Sequence, residues 1–219
     1  MTHIFMALPI NQFKTIEEKL RIYDKPFIEI SLLQKILDKF APNYEIKELS
    51  RRWLLAPIVR GELYLNLLSS KKKWLLATTI LAQYGKNKLY TIGGIYLYNQ
   101  YHFSQQLANK ITVYNTSIRG ERTIAGYTFI FRQVRPSFFR GIKKVDAQWY
   151  GTYYGMTRER ALIQLIEEND GKLEYAQDIY QEIKKKNISP TKLITLSQKY
   201  TSKRVQLLVK KFLEIWQHS

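Results

Sequence analysis

The sequence predicts an α+β fold, and three observations point to it. Apolar residues recur at helical spacing toward both ends of the chain, strand-like segments lie between, and Gly, Pro and capping residues mark the boundaries. Hydrophobic residues make up 45% of the 219, which supplies a core and argues against disorder. This length accommodates one large or two small domains.

In the first helix Phe13, Ile16 and Leu20 share one face. Asp24-Lys25-Pro26 ends it, because the residue before a proline is driven out of helical backbone. Ser31 and Gln34 have capping-box spacing and predict the start of a second helix, with Leu32, Leu33, Ile36, Leu37 and Phe40 as its apolar stripe. Ala41-Pro42-Asn43 reads as a turn. Asn43 is expected to cap a third helix running to about Arg52, with Ile46 and Leu49 inward. Ile58-Val59, a turn at Arg60-Gly61-Glu62 and the alternating Leu63 to Leu67 predict a hairpin. Helix, helix-turn-helix and hairpin, in that order, is the pattern of a winged helix.

Ser69-Ser70-Lys71-Lys72-Lys73 follows as a basic linker or helix start. Helical segments are expected over 74–84 and 91–101. Strands are expected over Ile111–Asn115, Arg119–Ala125 and Tyr127–Val134, in a small antiparallel sheet. Thr157 caps a helix carrying Ala161, Leu162, Leu165 and Ile166, with Gly171 just past its end. A second C-terminal helix carries Leu173, Ala176, Ile179, Tyr180 and Ile183. Ser189-Pro190 starts a third. Ser202 caps the last, whose stripe is Val205, Leu208, Val209, Phe212, Leu213 and Trp216. The domains expected are 1–68, a winged helix-turn-helix, and 69–219, a mixed α+β domain with a helical C-terminus.

The net charge of +17 points to an anionic partner. It is unevenly spread: residues 1–68 carry +2, residues 69–147 carry +11 and residues 148–219 carry +4. The absence of Cys excludes disulfides, Cys-based zinc sites and thiol nucleophiles. No signal peptide is expected from Met1 to Met6. The apolar run Trp74 to Ala82 is far shorter than the ~20 residues a membrane helix needs. A cytoplasmic protein with no membrane partner is expected.

Two constellations stand out. The first is the face of the third helix and its hairpin: Asn43, Tyr44, Lys47, Arg51, Arg52 and Arg60, long donors suited to DNA phosphates and base edges. Glu45, Glu48 and Glu62 oppose them. The second is the basic middle: Lys71, Lys72, Lys73, Arg119, Arg122, Arg132, Arg135, Arg140, Lys143 and Lys144. Tyr114, Tyr127, Phe129, Phe131, Phe138 and Phe139 are interleaved, a mixture that suits RNA or single strands, although Phe129 and Phe131 also read as core. Chemistry is poorly supported. The three His are dispersed, there is no Gly-rich phosphate loop, and a nuclease built on Asp178, Glu182 and Lys184 rests on one ordinary helix-face pair. No catalytic residue, metal site or cofactor is expected.

The succession of motifs resembles the AbiEi-type antitoxins of bacterial type IV toxin–antitoxin systems. The segments that carry the resemblance are Phe27 to Leu33, Leu49 to Leu55, Ile58 to Tyr64, Tyr90 to Tyr98, Ile111 to Val113 and Thr157 to Leu165. Glu62, and the Tyr-rich stretch after Gly94, depart from the usual pattern. The resemblance implies a transcriptional repressor that binds operator DNA of its own operon through the winged helix. It also implies that the basic domain neutralises a nucleotidyltransferase toxin, by contacting the toxin or its RNA substrate. The alternative is a stand-alone DNA- or RNA-binding regulator with no toxin partner.

Overall fold

A computed structural model describes residues 10–59, 61–70, 77–85, 88–146, 152–171 and 188–217. The chain divides into two units, Met1–Tyr84 with Ile124–Gly126, and Gly85–Thr123 with Tyr127–Ser219. It is a mixed α+β fold.

The first unit runs α1 (Ile10–Tyr23), β1 (Phe27–Glu29), α2 (Ile30–Phe40), α3 (Ile46–Arg51), β2 (Leu55–Val59), β3 (Leu63–Asn66) and α4 (Ala77–Tyr84). The helices form where the apolar spacing places them. Ile16 and Leu20 of α1, Leu33 and Leu37 of α2 and Leu49 of α3 meet in one core with Ile28, Leu54 and Leu55. Burying each such side chain stabilises the fold by about 1.5–3 kcal/mol relative to exposure. β3 lies between β1 and β2, antiparallel to both. The hairpin turns at Gly61, whose φ of +77° suits glycine, and Glu62 N–H donates to Val59 C=O at 3.0 Å. Asn66, fully buried, donates from Nδ2 to Leu20 C=O at 2.8 Å and so ties the end of α1 to β3.

Two helix starts differ from expectation. α2 begins at Ile30 with Glu29 as its N-cap and no side-chain cap, so Ser31 lies inside the helix. Ile30 N–H is instead taken by Glu62 C=O at 2.9 Å, a tertiary acceptor that a local pattern does not reveal. α3 begins at Ile46 and is capped by Glu45, not by Asn43. Its capping box joins Glu45 and Glu48, with Glu48 Oε2 accepting from Glu45 N–H at 3.4 Å. The first unit includes α4, which the sequence places beyond a boundary at 68/69.

The second unit is built on a six-stranded sheet ordered β6-β7-β5-β4-β9-β8. Its strands are β4 (Tyr90–Gly93), β5 (Ile111–Asn115), β6 (Gly120–Ile124), β7 (Tyr127–Gln133), β8 (Lys143–Asp146) and β9 (Thr152–Gly155). The sheet is mixed: β4–β5 and β8–β9 are antiparallel, while β5–β7 and β4–β9 are parallel. The small antiparallel sheet expected is corrected accordingly. β6 and β7 are joined through Ala125 and Gly126, both at positive φ (50° and 85°), as a tight two-residue hairpin requires. The helix expected over 91–101 is a strand for its first residues. Tyr90 to Gly93 are buried, pair with β5 and β9, and give way to α5 (Gly94–Gln100) at a Gly94 φ of +64°. A continuous apolar run of this length does not distinguish a buried strand from a helix.

α5 packs on β4, β5 and α6 (Arg158–Glu168), and α6 packs on α7 (Pro190–Tyr200) and α8 (Lys203–Gln217). Thr157 caps α6 by accepting Arg160 N–H at 3.3 Å, and Ser189 caps α7 by accepting Lys192 N–H at 3.3 Å. α6 ends at positive φ on both Asp170 and Gly171, with Gly171 N–H on Ile166 C=O at 2.8 Å, a Schellman closure. The helix expected from Leu173 to Ile183 lies outside the described residues, as do Asp178, Glu182 and Lys184. Among the described residues, no helix is long and apolar enough to cross a membrane. None of them forms a group of three or more His, Cys, Asp or Glu that could hold a metal.

Candidate functional site

In the first unit the short α3 sorts the predicted donors. Leu49 points into the core and Ile46 packs against it, so Lys47 and Arg51 are exposed. Lys47 is ion-paired with Glu45, at the surface. Arg51 has no ion pair among the described residues. Arg52 turns back, its guanidinium 4.7 Å from the centre of the Phe13 ring on α1. Asn43 is exposed in the turn before α3. Tyr44 corrects the expectation of an outward donor: it is 4% exposed and part of the core, its hydroxyl without a hydrogen-bond partner. It lies in the turn before α3, because Glu45 caps the helix instead of Asn43. Arg60 lies outside the described residues.

Sequence reasoning missed Trp53, which follows α3 with 81% exposure and a φ of +59°. A left-handed, exposed tryptophan is costly on both counts. The one-dimensional signal available was the Arg51-Arg52-Trp53 run at the helix end, which reads equally as the start of a strand.

In the second unit the basic middle separates into distinct environments. Arg132 on β7 reaches Glu168 of α6 at 3.8 Å. Arg122 lies over Phe131 at 5.8 Å and Lys144 over Tyr154 at 5.8 Å. Arg140 and Lys143 are exposed. Lys71, Lys72 and Lys73 lie outside the described residues. The interleaved aromatics turn inward: Tyr114, Phe129, Phe131 and Phe139 are buried, and Phe138 is partly so.

Arg119 and Arg135 share a cleft of about 830 Å³. The loop carrying Arg119 is shaped by Asn115, whose Oδ1 accepts from Ser117 N–H at 2.8 Å and Ile118 N–H at 2.6 Å. Arg135 leads into a single 3-10 turn, Pro136–Phe139. The opposite wall holds Arg160 of α6 and Ser202 at the start of α8.

Arg160 is the unforeseen member. It is 2% exposed, stacks over Phe138 at 5.0 Å, and donates from Nη1 to Gln164 Oε1 at 3.3 Å. Among the described residues its Nε has no hydrogen-bond partner and no carboxylate lies within ion-pair distance, although the Glu167 charge acts on it from farther away. Burial pushes its pKa down from the usual guanidinium value. Beside it, Glu168 accepts from the hydroxyls of Tyr98 (2.7 Å) and Tyr114, with Gln164 Nε2 at 3.5 Å. Burial pushes both tyrosines well above their ordinary pKa, and the Glu168 charge adds to the effect. Arg160, Gln164 and Glu168 are spaced four apart, a polar stripe on one face of α6. That spacing is visible in the sequence, but the apolar stripe of the same helix dominates it.

No family model matches the chain, and no curated protein does. Among solved structures it is similar to the RV2827C protein from Mycobacterium tuberculosis, with a TM-score of 0.63 and 13% sequence identity, over 96% of this chain and 78% of that one. At that identity the similarity shows the fold alone.

Proposed function

We propose that the chain is an autoregulatory antitoxin: its first unit is a winged helix that binds operator DNA, and its second unit neutralises a cognate nucleotidyltransferase toxin. The observation that carries the DNA-binding half is the order α1–β1–α2–α3–β2–β3 with β3 between β1 and β2. In a winged helix the second helix of the turn motif enters the major groove and the hairpin meets the backbone. Here that helix is α3, with Arg51 exposed and without an ion pair among the described residues. The toxin-directed half rests on the sequence resemblance and on the concentration of cations in the second unit, suited to an acidic protein surface or an RNA. A stand-alone nucleic-acid-binding regulator is the second reading. The +11 of residues 69–147 suits it equally, because a nucleic acid held by the second unit needs no toxin.

One experiment separates the two. The chain is co-expressed with the product of the adjacent gene and growth is scored, while mobility shift is measured on DNA upstream of its own gene. Growth rescue together with specific retardation is the expected result. Retardation without any toxicity or rescue leaves the stand-alone regulator. Absence of specific retardation overturns the operator-binding role of the first unit.

A further inference from the structure

We propose that the cleft of the second unit binds a phosphoryl group, carried by a free nucleotide or by the end of an RNA strand. The inference rests on reading the second unit as the one that meets an anionic partner, and it names the chemistry of that partner.

Arg160 is the central group of the cleft. A guanidinium that is 2% exposed, with no partner for its Nε and no carboxylate in ion-pair range among the described residues, is a buried cation compensated only from beyond ion-pair distance, by Glu167. Such a charge is costly unless an anion completes it. The neutral Gln164 and the ring of Phe138 hold its orientation without neutralising it. A planar guanidinium fixed in this way is suited to two parallel hydrogen bonds to phosphate oxygens.

The surroundings favour the same ligand. Arg119 and Arg135 line the cleft, are exposed, and have no ion pair among the described residues. One carboxylate, Glu167, shares the lining, so three guanidiniums face one acid. Ser202 stands at the start of α8, a helix of 15 residues whose N-terminal end adds positive potential. Its Oγ accepts from Val205 N–H at 3.4 Å, which leaves the hydroxyl hydrogen to donate into the cleft. A volume of about 830 Å³ holds a nucleotide-sized group. A guanidinium this deep is reached by a small tetrahedral anion, whereas a flat protein surface stops at Arg119 and Arg135.

The test uses the full chain. Inorganic phosphate, adenosine monophosphate, and one short oligoribonucleotide with either a terminal phosphate or a terminal hydroxyl are titrated by calorimetry, and melting temperature is followed with phosphate. The expected result is a rise in melting temperature with phosphate, and affinity at least about tenfold higher for the phosphorylated oligomer or for the mononucleotide than for the hydroxyl oligomer. The relative strength of mononucleotide and phosphorylated oligomer identifies which source supplies the group. The double variant R119A/R135A, altered only at exposed positions, should melt unchanged without ligand and lose about tenfold in affinity. Arg160→Met, of similar volume and apolar, should lose the phosphate response even where its own melting temperature is equal or higher.

Equal affinity for the two oligomers, with no response to phosphate or mononucleotide, overturns the proposal. So does undiminished binding by both variants. Operator retardation is read on the same samples. Intact retardation without a phosphate response removes the cleft inference alone, and a phosphate response without retardation or rescue removes the antitoxin reading alone.

Discussion

Glu168 shows how a single carboxylate organises the second unit. Two buried tyrosine hydroxyls, Tyr98 and Tyr114, donate to it, and Arg132 approaches from β7. Ionising either tyrosine would remove a donor and place a second negative charge against the carboxylate, in a poorly solvated site. Both tyrosines therefore hold their protons at a pH where those of the unfolded chain release them, near 10. The folded protein then binds more protons than the unfolded one above that pH, so stability is complete below about 10 and falls as pH rises beyond it. An alkaline titration following tyrosinate absorbance and circular dichroism together should show these two groups ionising only as structure is lost. Their ionisation ahead of unfolding would contradict the network. Tyr98→Phe removes the hydroxyl and leaves Glu168 one donor short, which should cost about 1–3 kcal/mol in denaturant unfolding at neutral pH. Arg51 presents the opposite case, an exposed cation with no ion pair among the described residues. Arg51→Ala should leave the melting temperature within error and weaken operator binding by about 1–3 kcal/mol.

Among the elements, close approach decides the glycine at the β4–α5 junction. A Cβ on Gly93 would collide with the ring of Tyr114, one of the two donors to Glu168. Gly93→Ala should cost about 1–3 kcal/mol from overpacking and also disturb the Tyr114 bond, which differential unfolding of variant and parent will show. The capping box of α3 is a smaller lever: Glu48→Ala should destabilise the first unit by about 1 kcal/mol, since this helix is only six residues long and has little else to fix its start. These elements also mark how far the sequence could be read. Helices α1, α2, α6, α7 and α8 were legible because each carries a long apolar stripe, and Thr157 and Ser189 announce their caps. β5, β6 and β7 were legible from alternation and from Gly126. β1, β4, β8 and β9 were not: three or four residues make no period, and β4 and β9 are specified by parallel neighbours remote in sequence. Of the candidate site, Arg119 and Arg135 were found as charges, and Lys47 and Arg51 as a helix face. Tyr44 was misplaced because it precedes the start of α3, in a turn to which the helical face does not extend. Arg160 was missed because the sequence displays a cation but not its burial.

At the scale of the molecule, the salt dependence of the proposed DNA binding tests whether the two units divide their work. Each phosphate that a protein neutralises on duplex DNA lowers the slope of log K against log salt by about 0.9. If operator binding belongs to the first unit, the slope reflects the few cations it has to offer. Residues 1–68 carry a net +2, Lys47 is paired with Glu45, and Arg52 is drawn onto Phe13, so Arg51 stands nearly alone on α3. The expected slope is therefore shallow for a protein of net charge +17, and Arg51→Ala should reduce it by about one phosphate's worth. R119A/R135A should leave the slope and the operator affinity unchanged while diminishing toxin neutralisation. A steep slope that flattens in R119A/R135A and not in Arg51→Ala would move DNA binding to the second unit. The first unit would then be a surface for proteins, because a basic protein can hold DNA only where its unpaired cations are.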